Sequence, residues 1–150
     1  MQGQLNSEIT FQNIFKMERN SHPFTHLILT LDYELYGDGS GSVFDTMIDP
    51  TNNYLRVCKK YGIRTTIFFE VMEYLRMKEL WDSGNTMGYE ENPVKAIADQ
   101  LKQAYLEGHD IQLHIHPHWV NATYENNRWN PDSRYWKLTR VPLTPDEHFP

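Results

Sequence analysis

The sequence predicts an α/β domain in which parallel strands alternate with helices. Three observations lead there: strand-like runs at 26–31, 64–70 and 110–116, helical periodicities between them, and mostly short connections. Nearly continuous apolar strands in alternation with helices imply a parallel sheet joined by right-handed crossovers. In such sheets, open or closed into a barrel, sites form at the C-terminal ends of the strands.

The first strand is read at His26-Leu27-Ile28-Leu29-Thr30-Leu31, an apolar run of the length expected for a strand buried on both faces. Asp32-Tyr33-Glu34 stands at its C-terminal end, and the Gly- and Ser-rich stretch 37–42 reads as a loop. Asp49-Pro50 starts a helix, with Asp49 as N-cap and Pro50 at the first helical position. Tyr54, Leu55, Cys58 and Tyr61 recur at helical spacing, and Gly62 closes the helix. The β-branched and aromatic run Arg64-Thr65-Thr66-Ile67-Phe68-Phe69-Glu70 forms the second strand. A short helix at 71–80 and a polar surface loop at 82–91 follow.

Asn92-Pro93 repeats the helix-start signal. Val94, Ile97, Ala98, Leu101, Ala104 and Tyr105 then follow the i, i+3, i+4, i+7 template up to Gly108. In the third strand Ile111, Leu113 and Ile115 alternate with Gln112, His114 and His116, giving one apolar and one polar face. Pro117 has no N–H for a ladder, so the strand ends there and His118 falls on the loop beyond. Residues 121–133 lack periodicity and read as an irregular excursion. Residues 1–22 are a polar tail, leaving 23–150 as the domain.

At 150 residues, with 39% hydrophobic and 23% charged residues, the chain matches one soluble globular domain. A net charge of −6 with no Lys/Arg run argues against a nucleic-acid footprint. The single cysteine, Cys58, rules out an internal disulfide and sits on an apolar helix face as a small core residue. The polar first 17 residues carry no signal-peptide pattern, and no apolar run is long enough for a membrane span. A cytoplasmic location is the expectation.

Asp32, Glu34, Glu70, His114, His116 and His118 all map to the strand-end edge. Two histidines and one carboxylate with an open position are a common design for a hydrolytic zinc centre. Chemistry alone leaves two ligand pairs open: His114 with His116 on one strand face, or His114 with His118 if the chain curls after Pro117. Of Asp32 and Glu34, one carboxylate ligates the metal while the other serves as general base. Glu70 reads as structural, and His22, His26, His109 and His148 as surface or packing residues. The competing view is a solvated polar strand end with loop-capping carboxylates.

These motifs fit a family. Gly108-His109-Asp110-Ile111 followed by His114-x-x-x-His118 resembles the second motif of the polysaccharide deacetylases, carbohydrate esterase family 4. Thr30-Leu31-Asp32 resembles the start of that family's Thr-Phe-Asp-Asp motif, and Tyr61 to Phe69 is similar to its segment leading into the second strand. The resemblance spans roughly residues 27–119. It implies His114 and His118 as metal ligands and Asp32 as catalytic base. Tyr33 replaces the usual second Asp, so Glu34 is the nearest carboxylate for the third ligand position. Ile115 replaces the Ser or Thr after the first metal-binding His. The family's later Arg and His motifs have no match; Arg140-Val141-Pro142 is read as coincidence.

The implied fold is the N-terminal part of a distorted (β/α)7-type barrel, belonging to a longer deacetylase or a shortened relative. The implied activity is metal-dependent removal of an N-acetyl or other N-acyl group from an amino sugar or glycan precursor, with zinc as the expected ion. The expected partner is a carbohydrate, and the strand edges of a partial barrel would favour self-association. Two rivals remain. One is a metal-dependent amidohydrolase of small amides using His114 and His116. The other is a non-catalytic carbohydrate-binding barrel relying on Trp129, Tyr135 and Trp136.

Overall fold

The computed structural model describes residues 26–141. The polar tail 1–22, His22 and His148 lie outside the described residues. The elements in order are β1 (Thr30–Tyr33), a π-helical segment (Val43–Ile48) running into α1 (Asp49–Tyr61), β2 (Thr66–Glu70), α2 (Val71–Asp82), α3 (Pro93–Leu106) and β3 (Asp110–His114). A 3-10 turn (Pro117–Trp119), a hairpin of β4 (Thr123–Glu125) and β5 (Arg128–Asn130), and two further 3-10 turns follow.

The three main strands form one parallel sheet in the order β1-β2-β3, with Thr30, Thr66 and Asp110 in register. The expected mixed α/β architecture of parallel strands alternating with helices is present. Tyr33 and Ile67 face a core shared with Leu55 of α1 and Val94, Ile97 and Ala104 of α3. The Tyr33 hydroxyl donates to Gln100 Oε1 (2.6 Å), and the Gln100 amide donates to the Ile48 carbonyl (2.9 Å). Strand, α3 and the start of α1 are thereby tied together.

The opposite sheet face carries Thr30, Asp32, Thr66, Phe68, Asp110 and Gln112, because side chains alternate along each strand. Thr30, Asp32, Asp110 and Gln112 are exposed, so no described element packs over that part of the face. This corrects the expectation of a first strand buried on both faces at 26–31. The strand instead begins at Thr30, and Leu27 and Ile28 are 81% and 78% exposed. A run of apolar residues reports hydrophobicity, whereas the sheet position of β1 as an edge strand decides burial. β3 shows the same effect: it ends at His114, and Leu113 and Ile115 are exposed.

The helix-start signals divide. Asn92 is the N-cap of α3 as expected, its side chain accepting from the Lys95 N–H (3.0 Å), with Pro93 first in the helix. Asp49 is not an N-cap. The preceding π-helical segment already supplies the turn, so Asp49 is helical and Ser42 caps the combined helix, accepting from the Asp45 N–H (3.4 Å). Gly108 ends the α3 turn at φ +88, and a Cβ there would lie 2.8 Å from Arg64 Nε. Cys58 is buried in the core, as its helix face predicts.

His109 joins the starts of β2 and β3: it is buried, and its Nδ1 accepts the Thr65 N–H at 3.3 Å. Burial, and then the nearby Arg64 cation, hold its imidazole below the ordinary range. As pH falls, the unfolded chain therefore takes up this proton before the folded one does. The stabilisation from neutral His109 is complete above about pH 6.5 and is lost as pH falls below it. Thermal melts of the wild type and His109→Asn should show a stability gap that narrows from pH 7.5 to pH 5.5. A pH-independent gap would refute this role.

The excursion after Trp119 is more ordered than its composition suggested. Asn126 and Asn127 both adopt positive φ (54° and 57°), as a two-residue type I′ hairpin loop requires. Tyr124 pairs in register with Trp129, and the Trp129 ring meets those of Tyr124 and Trp119, each at 5.2 Å between centroids. The alternation Thr-Tyr-Glu-Asn-Asn-Arg-Trp-Asn around an Asn-Asn pair was the overlooked signal. The Arg76 guanidinium donates to the Ala122 carbonyl (3.1 and 2.7 Å), and the Asp132 N–H to the His118 carbonyl (2.8 Å), anchoring the excursion to the domain.

Candidate metal centre

Three donor atoms meet at the C-terminal edge of the sheet. His114 Nε2 and His116 Nε2 are 2.8 Å apart, and Glu34 Oε2 lies 3.5 Å from the first and 3.1 Å from the second. An ion bonded at about 2.0–2.2 Å to all three would sit just off the plane of such a triangle. Glu70 joins them: one ligand atom from each of Glu34, Glu70, His114 and His116 falls within 4.8 Å of all the others. This cluster could hold a metal ion.

The chain builds the cluster from three strand ends. Glu70 closes β2 directly opposite His114 of β3, while Glu34 follows the last residue of β1. The Glu70 carboxylate holds the floor: Oε1 accepts from the Met72 N–H (2.9 Å) at the start of α2, and Oε2 from the His116 N–H (2.6 Å). It thus fixes the backbone that carries His116. The sequence expectation of a structural Glu70 captured this part, although its place among the four donors was missed.

Charge is concentrated here. Glu73 is fully buried, with both carboxylate oxygens facing the Leu35 N–H (3.2 and 3.0 Å). Burial pushes its carboxyl up to about 8; the Leu35 N–H works against that, and Glu70 and Glu34 add to it. Burial likewise raises Glu70, while the two backbone N–H groups it accepts hold it down. A nearby cation would relieve this crowding of carboxyl groups.

Among the described residues, two of the three buried side-chain polar atoms without a hydrogen-bond partner lie here: Glu34 Oε2 and His118 Nε2. Glu34 Oε2 lies close to both imidazoles without hydrogen-bond alignment. Unsatisfied buried polar atoms are rare, and an ion is one way to satisfy them. The side chains of Glu34, His114 and His116 are 20%, 28% and 37% exposed, so solvent reaches them.

His118 lies beside the group of four and outside it, on the 3-10 turn after β3, with its ring 5.1 Å from that of His116. Burial, and then His116, keep its imidazole below the usual range. Asp32 is exposed, on the uncovered sheet face, and lines with Glu34 a cavity of about 200 Å³ that reaches Met47 and Tyr54.

No protein-family model, curated protein or solved structure matches the chain. The likeness to polysaccharide deacetylases therefore rests on the sequence motifs alone. Among the described residues, no helix is long and apolar enough to cross a membrane.

Proposed function

We propose that the protein is a metal-dependent hydrolase that removes an N-acyl group, acetyl in the simplest case, from an amino sugar or glycan precursor. The observation that carries the metal-dependent part of this reading is the convergence of Glu34 Oε2, His114 Nε2 and His116 Nε2 at an open strand-end edge. The motif resemblance supplies the substrate class, and the parallel sheet is compatible with the first strands of a larger barrel.

In this reading Glu34, His114 and His116 hold a divalent ion, zinc being the expected one, and Glu70 orients His116 through its backbone N–H. When bound, such an ion polarises a carbonyl and lowers the pKa of water to about 7. Asp32, beside Glu34 in the adjoining cavity, accepts the proton from the attacking water. His118, whose Nε2 is buried without a hydrogen-bond partner, lies outside that ligand set and lines a groove beside it.

One observation favours a second reading. The pairing of His114 with His116 rather than with His118 is the arrangement expected of a hydrolase of small amides. Of the aromatics on which the carbohydrate-binding rival relies, Trp129 is 3% exposed and packed on its own domain, while Trp136 is 55% exposed.

The test is to incubate the zinc-loaded chain with N-acetylglucosamine oligomers and, separately, with small amides and cyclic ureides. Acetate release that disappears in Asp32→Asn supports deacetylation. Ammonia or ring opening from the small substrates, with no acetate, assigns the second reading. Metal binding without turnover of either class overturns both.

A further inference from the structure

We propose that the groove beside the metal centre binds an anionic group, a phosphate or a carboxylate, carried by the ligand. This deepens the hydrolase reading by naming a charged substrate, and rests on it only for the claim that the bound molecule is turned over. The groove is a concavity of about 430 Å³ with His118, Arg128, Trp129 and Trp136 in its wall. His118 connects it to the cluster, its ring standing 5.1 Å from that of His116.

The chain as a whole carries a charge of −6, yet residues 128–140 contain Arg128, Arg134, Lys137 and Arg140 against the single acid Asp132. Arg134 is paired with Asp132 at 2.7 Å. Among the described residues, no carboxylate oxygen lies within 4.0 Å of Arg128, Lys137 or Arg140. Asp38 also lines the groove; its carboxylate accepts the Ser40 N–H at 2.9 Å, and hydrogen bonds from Ser40, then the nearby Arg128 cation, hold it below the usual carboxylate range. Lys137 Nζ and Arg140 Cζ stand 4.3 and 5.5 Å from the centre of the Trp136 ring, which keeps two cations at the rim.

A second, independent feature points to a ligand. Trp129 is 3% exposed and lines the groove, and its indole N–H is buried without an acceptor. An indole nitrogen can only donate, so the group that satisfies it must be an acceptor. Arg128 adds a planar fork of donors suited to phosphate or carboxylate oxygens. Arg128 in the wall and the two cations at the rim outnumber the one carboxylate of the lining, Asp38, and beside a buried donor that lacks an acceptor they favour an anion over a neutral sugar.

Calorimetric titration of the full chain with N-acetylglucosamine, N-acetylglucosamine 1-phosphate and N-acetylmuramic acid tests this. At least one charged sugar should bind about tenfold or more tightly than the neutral one, the size expected of a charge-assisted contact. Whichever is preferred identifies the source as phosphate or carboxylate. That preference should vanish in Arg128→Ala, shrink in the joint Lys137→Ala and Arg140→Ala variant, and weaken with added salt. It should survive in His114→Ala, which disables the metal centre. Equal affinities, indifference to all three basic residues, or a preference lost only in His114→Ala would overturn the proposal. Because His114→Ala separates the groove from the metal, failure here is distinguishable from failure of the hydrolase reading. Unchanged melting of Arg128→Ala excludes misfolding, as this side chain is exposed.

Discussion

Alanine at Glu34, His114 or His116 is expected to lower the affinity for a divalent ion about 100-fold or more, because even outer partners of a metal ligand are worth about 10–100-fold. Each of these side chains supplies one corner of a triangle with edges of 2.8, 3.1 and 3.5 Å, and losing any corner leaves two of those three donors. Elemental analysis should find one ion per wild-type chain, with calorimetry reporting the affinities. His118→Ala should retain most of the binding, since His118 lies outside the group whose donors lie within 4.8 Å of one another. Should affinity collapse in His118→Ala and persist in His116→Ala, the ligands are instead Glu34, His114 and His118, as the motif resemblance implies. If the wild type binds no ion, the cluster is a polar strand end and the hydrolase reading falls.

Glu70→Ala should destabilise the fold by about 3 kcal/mol and also loosen the metal site. The carboxylate accepts two N–H groups, from Met72 at the start of α2 and from His116 beyond β3. Loss of a helix N-cap costs about 1 kcal/mol, and a buried N–H left without an acceptor about 1–3 kcal/mol. Because the His116 backbone loses its tether, metal affinity should fall about tenfold in the same variant. Urea unfolding and calorimetry measure the two effects. Glu70→Gln keeps one acceptor oxygen and should recover part of both. Stability unchanged in Glu70→Ala would show that the two N–H groups find other acceptors and that the carboxylate is not the brace of this edge.

Much of the scaffold was legible in the sequence because local chemistry specified it. Asn92-Pro93 caps and starts α3, Gly62 closes α1 in the left-handed conformation, and the run ending at Glu70 forms the middle strand. These features depend on neighbours a few residues away, whose hydrogen bonds and steric limits a sequence displays directly. The same holds for the placement of Glu34, His114 and His116 at one edge, which follows once parallel strands alternate with helices.

Tertiary structure alone decided the rest. Whether the apolar run at 26–31 is buried depends on β1 being an edge strand with one uncovered face, and Leu27 and Ile28 remain exposed. Asp49 lost its capping role to Ser42 because a π-helical turn precedes it. The choice between His116 and His118 as neighbour of His114 turned on the path of a few residues after β3: the 3-10 turn carries His118 to the groove wall, while the Glu70 carboxylate draws the His116 N–H inward. Residue spacing states which side chains share a strand face, but distances of 2.8 to 3.5 Å between three ring and carboxylate atoms are set by how separate strand ends pack together.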